Sequence, residues 1–113
     1  MTIEKSTIAL VITTLDDPDT ADELSARLLA DRLVACVNIM GPVRSAYHWQ
    51  GELRQEEEEE YQLHLKTSLE RIDELKEAIA RHHPYDCPEV LILPAQSSQS
   101  YSNWVQQCVQ TTP

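Results

Sequence analysis

The sequence predicts a single α+β domain over residues 1–113, a split β-α-β sandwich in which an antiparallel sheet carries helices on one face and a further helix closes the chain. Three observations predict it. Apolar runs and helical stripes follow one another in the order strand, helix, two strands, helix, strand, helix. The two middle strands lie in one long alternating stretch, Val34 to Thr67, with Gly51 near its centre, which is the pattern of a β-hairpin. The first two helical stripes open on acidic or hydroxyl residues suited to capping. Two β-α-β halves in this order make the ferredoxin-like arrangement.

Ile8 to Ile12 is an unbroken aliphatic run, suited to a central strand covered on both faces, and it ends at Thr13-Thr14. Asp16-Asp17-Pro18-Asp19 follows, acidic caps with a proline fit for a first helical turn. Ala21, Leu24 and Leu28 recur at helical spacing and predict a helix to about Leu33, with Arg27 and Arg32 near its end, where the helix dipole favours cations.

In the hairpin, Val43, Ser45, Tyr47 and Trp49 alternate with Arg44, Ala46, His48 and Gln50 on one arm, and Tyr61, Leu63, Leu65 and Thr67 with Gln62, His64 and Lys66 on the other. Gly51 supplies the positive φ of a tight turn. Gly41-Pro42 interrupts the first arm, and since proline cannot donate to a ladder the pair predicts a bulge or bend that re-aims the ribbon. Both arms exceed the usual strand of roughly five or six residues. A ribbon this long projects beyond a thin core, and its open edges call for partners, so an oligomer built on the ribbons is expected.

Thr67-Ser68-Leu69-Glu70 reads as a capping box, with Ile72, Leu75 and Ile79 as the buried stripe of a second helix that ends at Arg81-His82-His83 before Pro84. Val90 to Leu93 is a short strand stopped by Pro94, and a last helix carries Tyr101, Trp104, Val105 and Cys108 on one side. Residues 1–6 are expected to be flexible.

The charge balance narrows function. With 9 Lys and Arg against 19 Asp and Glu, a net −10, the surface repels nucleic-acid phosphate and anionic lipid. Neither a secretory leader nor an apolar run of membrane length is evident, so a cytoplasmic location is expected. Cys36, Cys87 and Cys108 are odd in number and lack Cys-x-x-Cys spacing, which signals neither a disulfide framework nor a thiolate metal site. Gly-x-Ser-x-Gly and metal-hydrolase motifs are absent, and two glycines cannot build a phosphate cradle, so no enzyme is predicted.

Several residues could still carry chemistry. His82 and His83 are candidate metal ligands, since neutral imidazole binds copper well, and Pro84 could end the helix so that the two converge; the same pair would also cap a helix C-terminus. Glu56 to Glu60 could attract hard cations, but on a strand at most three share a face, and an acidic edge that resists aggregation explains the run equally. Tyr47, Trp49, Lys66, His83, Tyr85, Glu89 and Trp104 offer aromatic walls, a cation and a carboxylate for a small anionic or zwitterionic ligand between subunits, or simply interfacial packing.

Val34-Ala35-Cys36-Val37-Asn38, Tyr47-x-Trp49-x-Gly51, Leu65-Lys66-Thr67, His82-His83-Pro84-Tyr85-x-x-Pro88-Glu89, Leu93-Pro94 and Trp104 together resemble the CutA family of divalent-cation tolerance proteins, from about Ile8 to Val109. The resemblance implies a ferredoxin-like homotrimer similar to PII signalling proteins, with a link to copper tolerance and binding of copper(II) or another divalent cation, and no firmly attached enzymatic activity. It also implies metal binding by His82 and His83 together with a cysteine at the end of the first strand. Here that position is Thr13, a poor soft-metal ligand, so weaker or differently built copper binding is expected. The alternative it implies is a PII-like sensor or scaffold that binds a small ligand at subunit clefts and signals to a protein partner.

Overall fold

The computed structural model describes residues 6–55 and 59–110. Strands β1 (Thr7–Leu15), β2 (Cys36–Arg44), β5 (Glu59–Thr67) and β6 (Leu91–Gln96) form one antiparallel sheet in the order β2-β5-β1-β6, the predicted ferredoxin-like order. Between β2 and β5 lies a separate two-stranded tip, β3 (Tyr47–Trp49) with β4 (Glu52–Arg54). Helices α1 (Pro18–Ala30), α2 (Ile72–His82) and α3 (Gln99–Val109) complete the chain.

The core forms where the alternation of the central strands meets the helical stripes. Val11 and Leu15 of β1 and Leu63 and Leu65 of β5 point the same way because their register pairs them, and Leu24, Leu28, Leu75 and Ile79 close over them. Thr13 shares that covered face and is fully buried, its Oγ1 without a hydrogen-bond partner. A buried hydroxyl stripped of water costs about 1 to 3 kcal/mol when unpaired. Thr13→Val keeps the shape and should therefore stabilise the protein by about 1 kcal/mol, read as a raised urea midpoint at fixed protein concentration.

Helix α1 starts as predicted: Asp17 accepts from the Thr20 N–H at 2.9 Å, which holds its carboxyl below the usual range. It ends earlier than its apolar spacing suggested. Arg32 adopts φ +55°, its N–H bonds the Leu29 carbonyl, and the Leu33 N–H reaches back to Leu28, which is a Schellman closure with an arginine in the place glycine usually takes. Leu33 is thus buried by the returning chain rather than by the helix.

The ribbon is broken where one continuous hairpin was expected. The β2–β5 register shifts between Met40 and Val43, so Gly41-Pro42 does form the anticipated irregularity. The ladder then stops after Arg44, and pairing resumes only at Tyr47 opposite Arg54. Gln50 at φ +50° joins Gly51 at φ +80° in a two-residue turn of the primed type, whose twist suits a hairpin. Projection is retained: the long axis is 47 Å and the radius of gyration 15.1 Å, above the ~13 Å of a compact chain this long. Of the glutamate run, Glu56 to Glu58 lie outside the described residues, while Glu59 and Glu60 open β5.

Three further expectations are corrected. Thr67 does not cap a helix: it ends β5 with its hydroxyl unpaired, and a 3₁₀ turn, Leu69–Arg71, intervenes before α2. Pro94 does not stop β6, which runs through it to Gln96, because β6 is an edge strand and tolerates a missing donor. The buried stripe of α3 is Ser102, Val105 and Val109, leaving Trp104 44% exposed and stacked near Tyr101. Of the residues expected to be flexible, 1–5 lie outside the description, and Ser6 is buried with its carbonyl accepting from the Ser97 N–H.

The second face of the sheet is less polar than the β5 residues suggested. Gln62, His64 and Lys66 do point away from the core, but register sets Leu10 and Ile12 of β1 and Leu91 and Leu93 of β6 on that same face. Helix α3 packs against β1 and β5, and the Tyr101 hydroxyl meets the Cys36 thiol, which stands on that face opposite Lys66. Burial, then Cys36, pushes the Tyr101 hydroxyl up in pKa. Leu91 and Leu93 stay half exposed beyond it.

Candidate functional site

The α2 terminus sets the geometry. His82 is the last helical residue, and His83 leaves the helix in extended conformation, as expected of a residue before proline. The two rings therefore separate. His82 lies half exposed in a shallow groove beside Thr20, Glu23 and Asp31 of the α1 side.

His83 turns inward and is only 7% exposed. Its Nε2–H donates to the Thr14 carbonyl at 2.8 Å, and its Nδ1 accepts from the Tyr85 N–H at 3.1 Å. That pattern needs the neutral tautomer protonated on Nε2. Burial pushes the His83 pKa down, opposed by the bond to Thr14 and by the charges of Asp16 and Glu60. Because both ring nitrogens are engaged, a metal at Nδ1 would replace the bond from Tyr85.

Tyr85 extends the network. Its ring packs edge-on against His83 at 4.7 Å between centroids, and its hydroxyl donates to Glu60 Oε2 at 2.9 Å. Burial first, and then the Glu60 carboxylate, push the phenol well above its usual range, so it stays protonated and a donor. Residues 83–89 are thereby moored to both β1 and β5.

This moored segment forms one wall of a cleft of about 830 Å³ whose other wall is the ribbon tip. Asp16, Glu60, Tyr85, Asp86, Cys87 and Glu89 line the side of the body; Arg44, Tyr47, His48, Trp49 and Arg54 line the side of the ribbon. Four of the residues predicted for a shared cleft, Tyr47, Trp49, Tyr85 and Glu89, are therefore brought together within one chain. Two are not. Lys66 sits mid-sheet with its ammonium on Asn38 Oδ1, and Trp104 is on α3. Sequence reading did not group the two arginines, Asp16 or Asp86 with this cleft and took Glu60 only as part of the glutamate run; the tertiary fold brings them together, although Arg44 and Arg54 flank the aromatic motif. Among the described residues, no three His, Cys, Asp or Glu side chains converge as a ready-made metal site.

The model of the CutA1 divalent ion tolerance protein family matches residues 9–108. The chain belongs to the CutA1 family. It is 38% identical over 101 residues to the divalent-cation tolerance protein CutA of Escherichia coli O45:K1, covering 88% of each, and 38% identical over 97 residues to that of Citrobacter koseri, covering 85% of this chain and 83% of the relative. Among solved structures it superposes on CutA from Synechococcus elongatus with a TM-score of 0.85 at 33% identity, covering 93% of this chain and 92% of that one. CutA1 from Ehrlichia chaffeensis matches with a TM-score of 0.85 at 30% identity, covering 92% and 96%.

Within this CutA1 member, Thr13, the position where the resemblance implies a cysteine, is sealed in the core on the covered face of β1. His83 meets the adjoining Thr14 through the backbone carbonyl, not through a side chain. No helix among the described residues is long and apolar enough to cross a membrane.

Proposed function

We propose that this CutA1 member acts in divalent-ion tolerance as a non-catalytic homotrimer that takes up copper(II) or a related cation, with His82 and His83 as imidazole ligands, in the cytoplasm. The observation that carries the reading is the acidic wall beside the His83 segment, where Asp16, Glu60, Asp86 and Glu89 line one side of the cleft in a chain of net charge −10. Such a wall concentrates cations beside the His83 segment before any ligand bond forms, while His82 lies in a separate groove with Glu23 and Asp31. Family membership supports the divalent-ion role. Because both His83 ring nitrogens are engaged, a metal at Nδ1 replaces the bond from Tyr85, a cost of about 1 kcal/mol that fits modest rather than buffering affinity.

Assembly is supported by what one chain leaves open. Among the described residues, edge strands β2 and β6 pair on one side only, and Leu91 and Leu93 of β6 are 50% and 42% exposed. Copies that cover these edges would remove a ready template for uncontrolled pairing. The cytoplasmic reading is kept although one structural neighbour, 25% identical, is described as a periplasmic divalent cation tolerance protein, from Archaeoglobus fulgidus.

Copper(II) titrated calorimetrically into chelator-free protein tests the site. The expected result is saturable binding that the double replacement of His82→Ala with His83→Gln weakens at least about tenfold, the equivalent of one lost ligand interaction of about 1.4 kcal/mol. Equal stoichiometry and affinity in both proteins would remove the pair from the mechanism. Sedimentation of the same samples reads the assembly, and a well-folded single chain at micromolar concentration would overturn the trimer.

A further inference from the structure

The charges of the cleft are sorted by wall. Asp16, just after β1, and Asp86 and Glu89, after α2, come from the body, and both arginines come from the ribbon; the remaining carboxylate, Glu60, stands in β5 opposite Val43 and is held by the Tyr85 hydroxyl. The side chains of Arg44, Arg54, Asp86 and Glu89 make no hydrogen bond or ion pair among the described residues. Opposed walls of opposite sign that do not neutralise each other leave a gap across which a dipole fits. On the ribbon wall stand Tyr47 and Trp49, each 38% exposed, which offer π faces to an apolar body and to an ammonium group. About 830 Å³ is the space of a small-molecule site.

From this we propose that the cleft binds a small zwitterion, a molecule with an ammonium and a carboxylate at opposite ends of a short apolar or aromatic body. The carboxylate faces the guanidiniums of Arg44 and Arg54, whose planar forks match its two oxygens. The ammonium faces Asp86 and Glu89, and the body lies against Tyr47 and Trp49. A purely anionic ligand would meet four carboxylates, and a purely cationic one would meet two guanidiniums, so each singly charged molecule satisfies one wall and is opposed by the other. The inference goes beyond metal uptake and does not depend on it. Its ligand is selected by charge separation rather than by coordination.

The test runs in buffer containing EDTA, so that divalent ions play no part and failure of the metal reading cannot be mistaken for failure of this one. Three zwitterions, 4-(aminomethyl)benzoate, 5-aminopentanoate and 4-(2-aminoethyl)benzoate, are compared with 4-methylbenzoate and 4-methylbenzylamine by thermal shift and saturation-transfer NMR on the full chain. At least one zwitterion should bind, and should do so about tenfold or more tighter than either singly charged analogue, as the loss of one charged hydrogen bond implies. Replacing Arg44→Gln and Arg54→Gln together should abolish that preference while leaving the unliganded melting temperature within a few degrees, because both side chains are exposed. Glu89→Gln should weaken the zwitterion and leave 4-methylbenzoate no weaker. Binding of the amine or the acid as tightly as the zwitterion overturns the proposal, as does an unchanged preference in the double arginine variant, or silence from all three zwitterions at millimolar concentration.

Discussion

His83→Ala should lower the stability of this protein by about 3 kcal/mol and flatten its pH dependence just below about pH 6.5. The first part follows from accounting for the ring's partners. Removing it leaves the Thr14 carbonyl and the Tyr85 N–H without their bonds at a site 7% exposed, and it opens a ring-sized void beside Tyr85. Each lost buried bond costs about 1 kcal/mol and the void adds a comparable amount. Tyr85→Phe is the measured comparison. It removes only the hydroxyl bond to Glu60, so its loss should stay near 1 kcal/mol.

The second part follows from the sign of the pKa shift. Burial lowers the folded-state pKa of His83 below the ordinary imidazole value of about 6.5, so between these two pKa values the unfolded chain binds a proton that the native chain refuses. Stability therefore holds above about pH 6.5, falls as pH drops below it, and levels once the native ring also protonates. Protonation places a second N–H against the Tyr85 N–H, which loosens the moored segment. Urea midpoints across this window, at constant protein concentration with EDTA present, should slope upward with pH in the wild type and lose that slope in His83→Gln. Identical slopes would mean that the ring is not held neutral in the native protein.

How legible this molecule is from its residues depends on how local each signal is. The order of elements, the core stripes at Ala21, Leu24 and Leu28 and the irregularity at Gly41-Pro42 all rest on spacing within one element, and all are present. The mistakes come from tertiary context. Pro94 reads as a stop, yet edge strands accept it; Arg32 reads as a helical cation, yet it serves as the left-handed closing residue. Tyr47, Trp49, Tyr85 and Glu89 could be grouped because they are conspicuous aromatic and charged residues, the first two on the ribbon and the others in the segment after α2. Arg44, Arg54 and Asp86 look like ordinary surface charges until the fold sets two walls face to face. His82 and His83 are adjacent in sequence and yet diverge, since the proline that ends the helix also turns one ring into the body.

The ribbon's aim has its own expected measurement, at Gly41. Its φ of +143° is a conformation that side-chain-bearing residues rarely adopt, and a Cβ built there would lie 2.9 Å from the Glu60 carbonyl oxygen and 3.0 Å from Tyr61 Cδ1. Gly41→Ala thus combines backbone strain of about 1 to 3 kcal/mol with a contact that β5 can relieve only by moving, for a loss of about 3 kcal/mol. Gly51→Ala separates the two causes, because Gly51 also has positive φ, at +80°, but its Cβ would meet nothing within 4 Å. That variant should lose only about 1 kcal/mol. The consequence for the cleft differs in the same way. Gly41 precedes Arg44, Tyr47 and Trp49, and β5 carries Glu60, so a shift of β2 away from β5 alters the spacing between the walls. Gly41→Ala should then weaken ligand or cation uptake as well as stability, whereas Gly51→Ala should leave uptake near the wild-type value. Equal denaturation midpoints for the two variants would show that the ribbon is not aimed by a close approach of its backbone to β5.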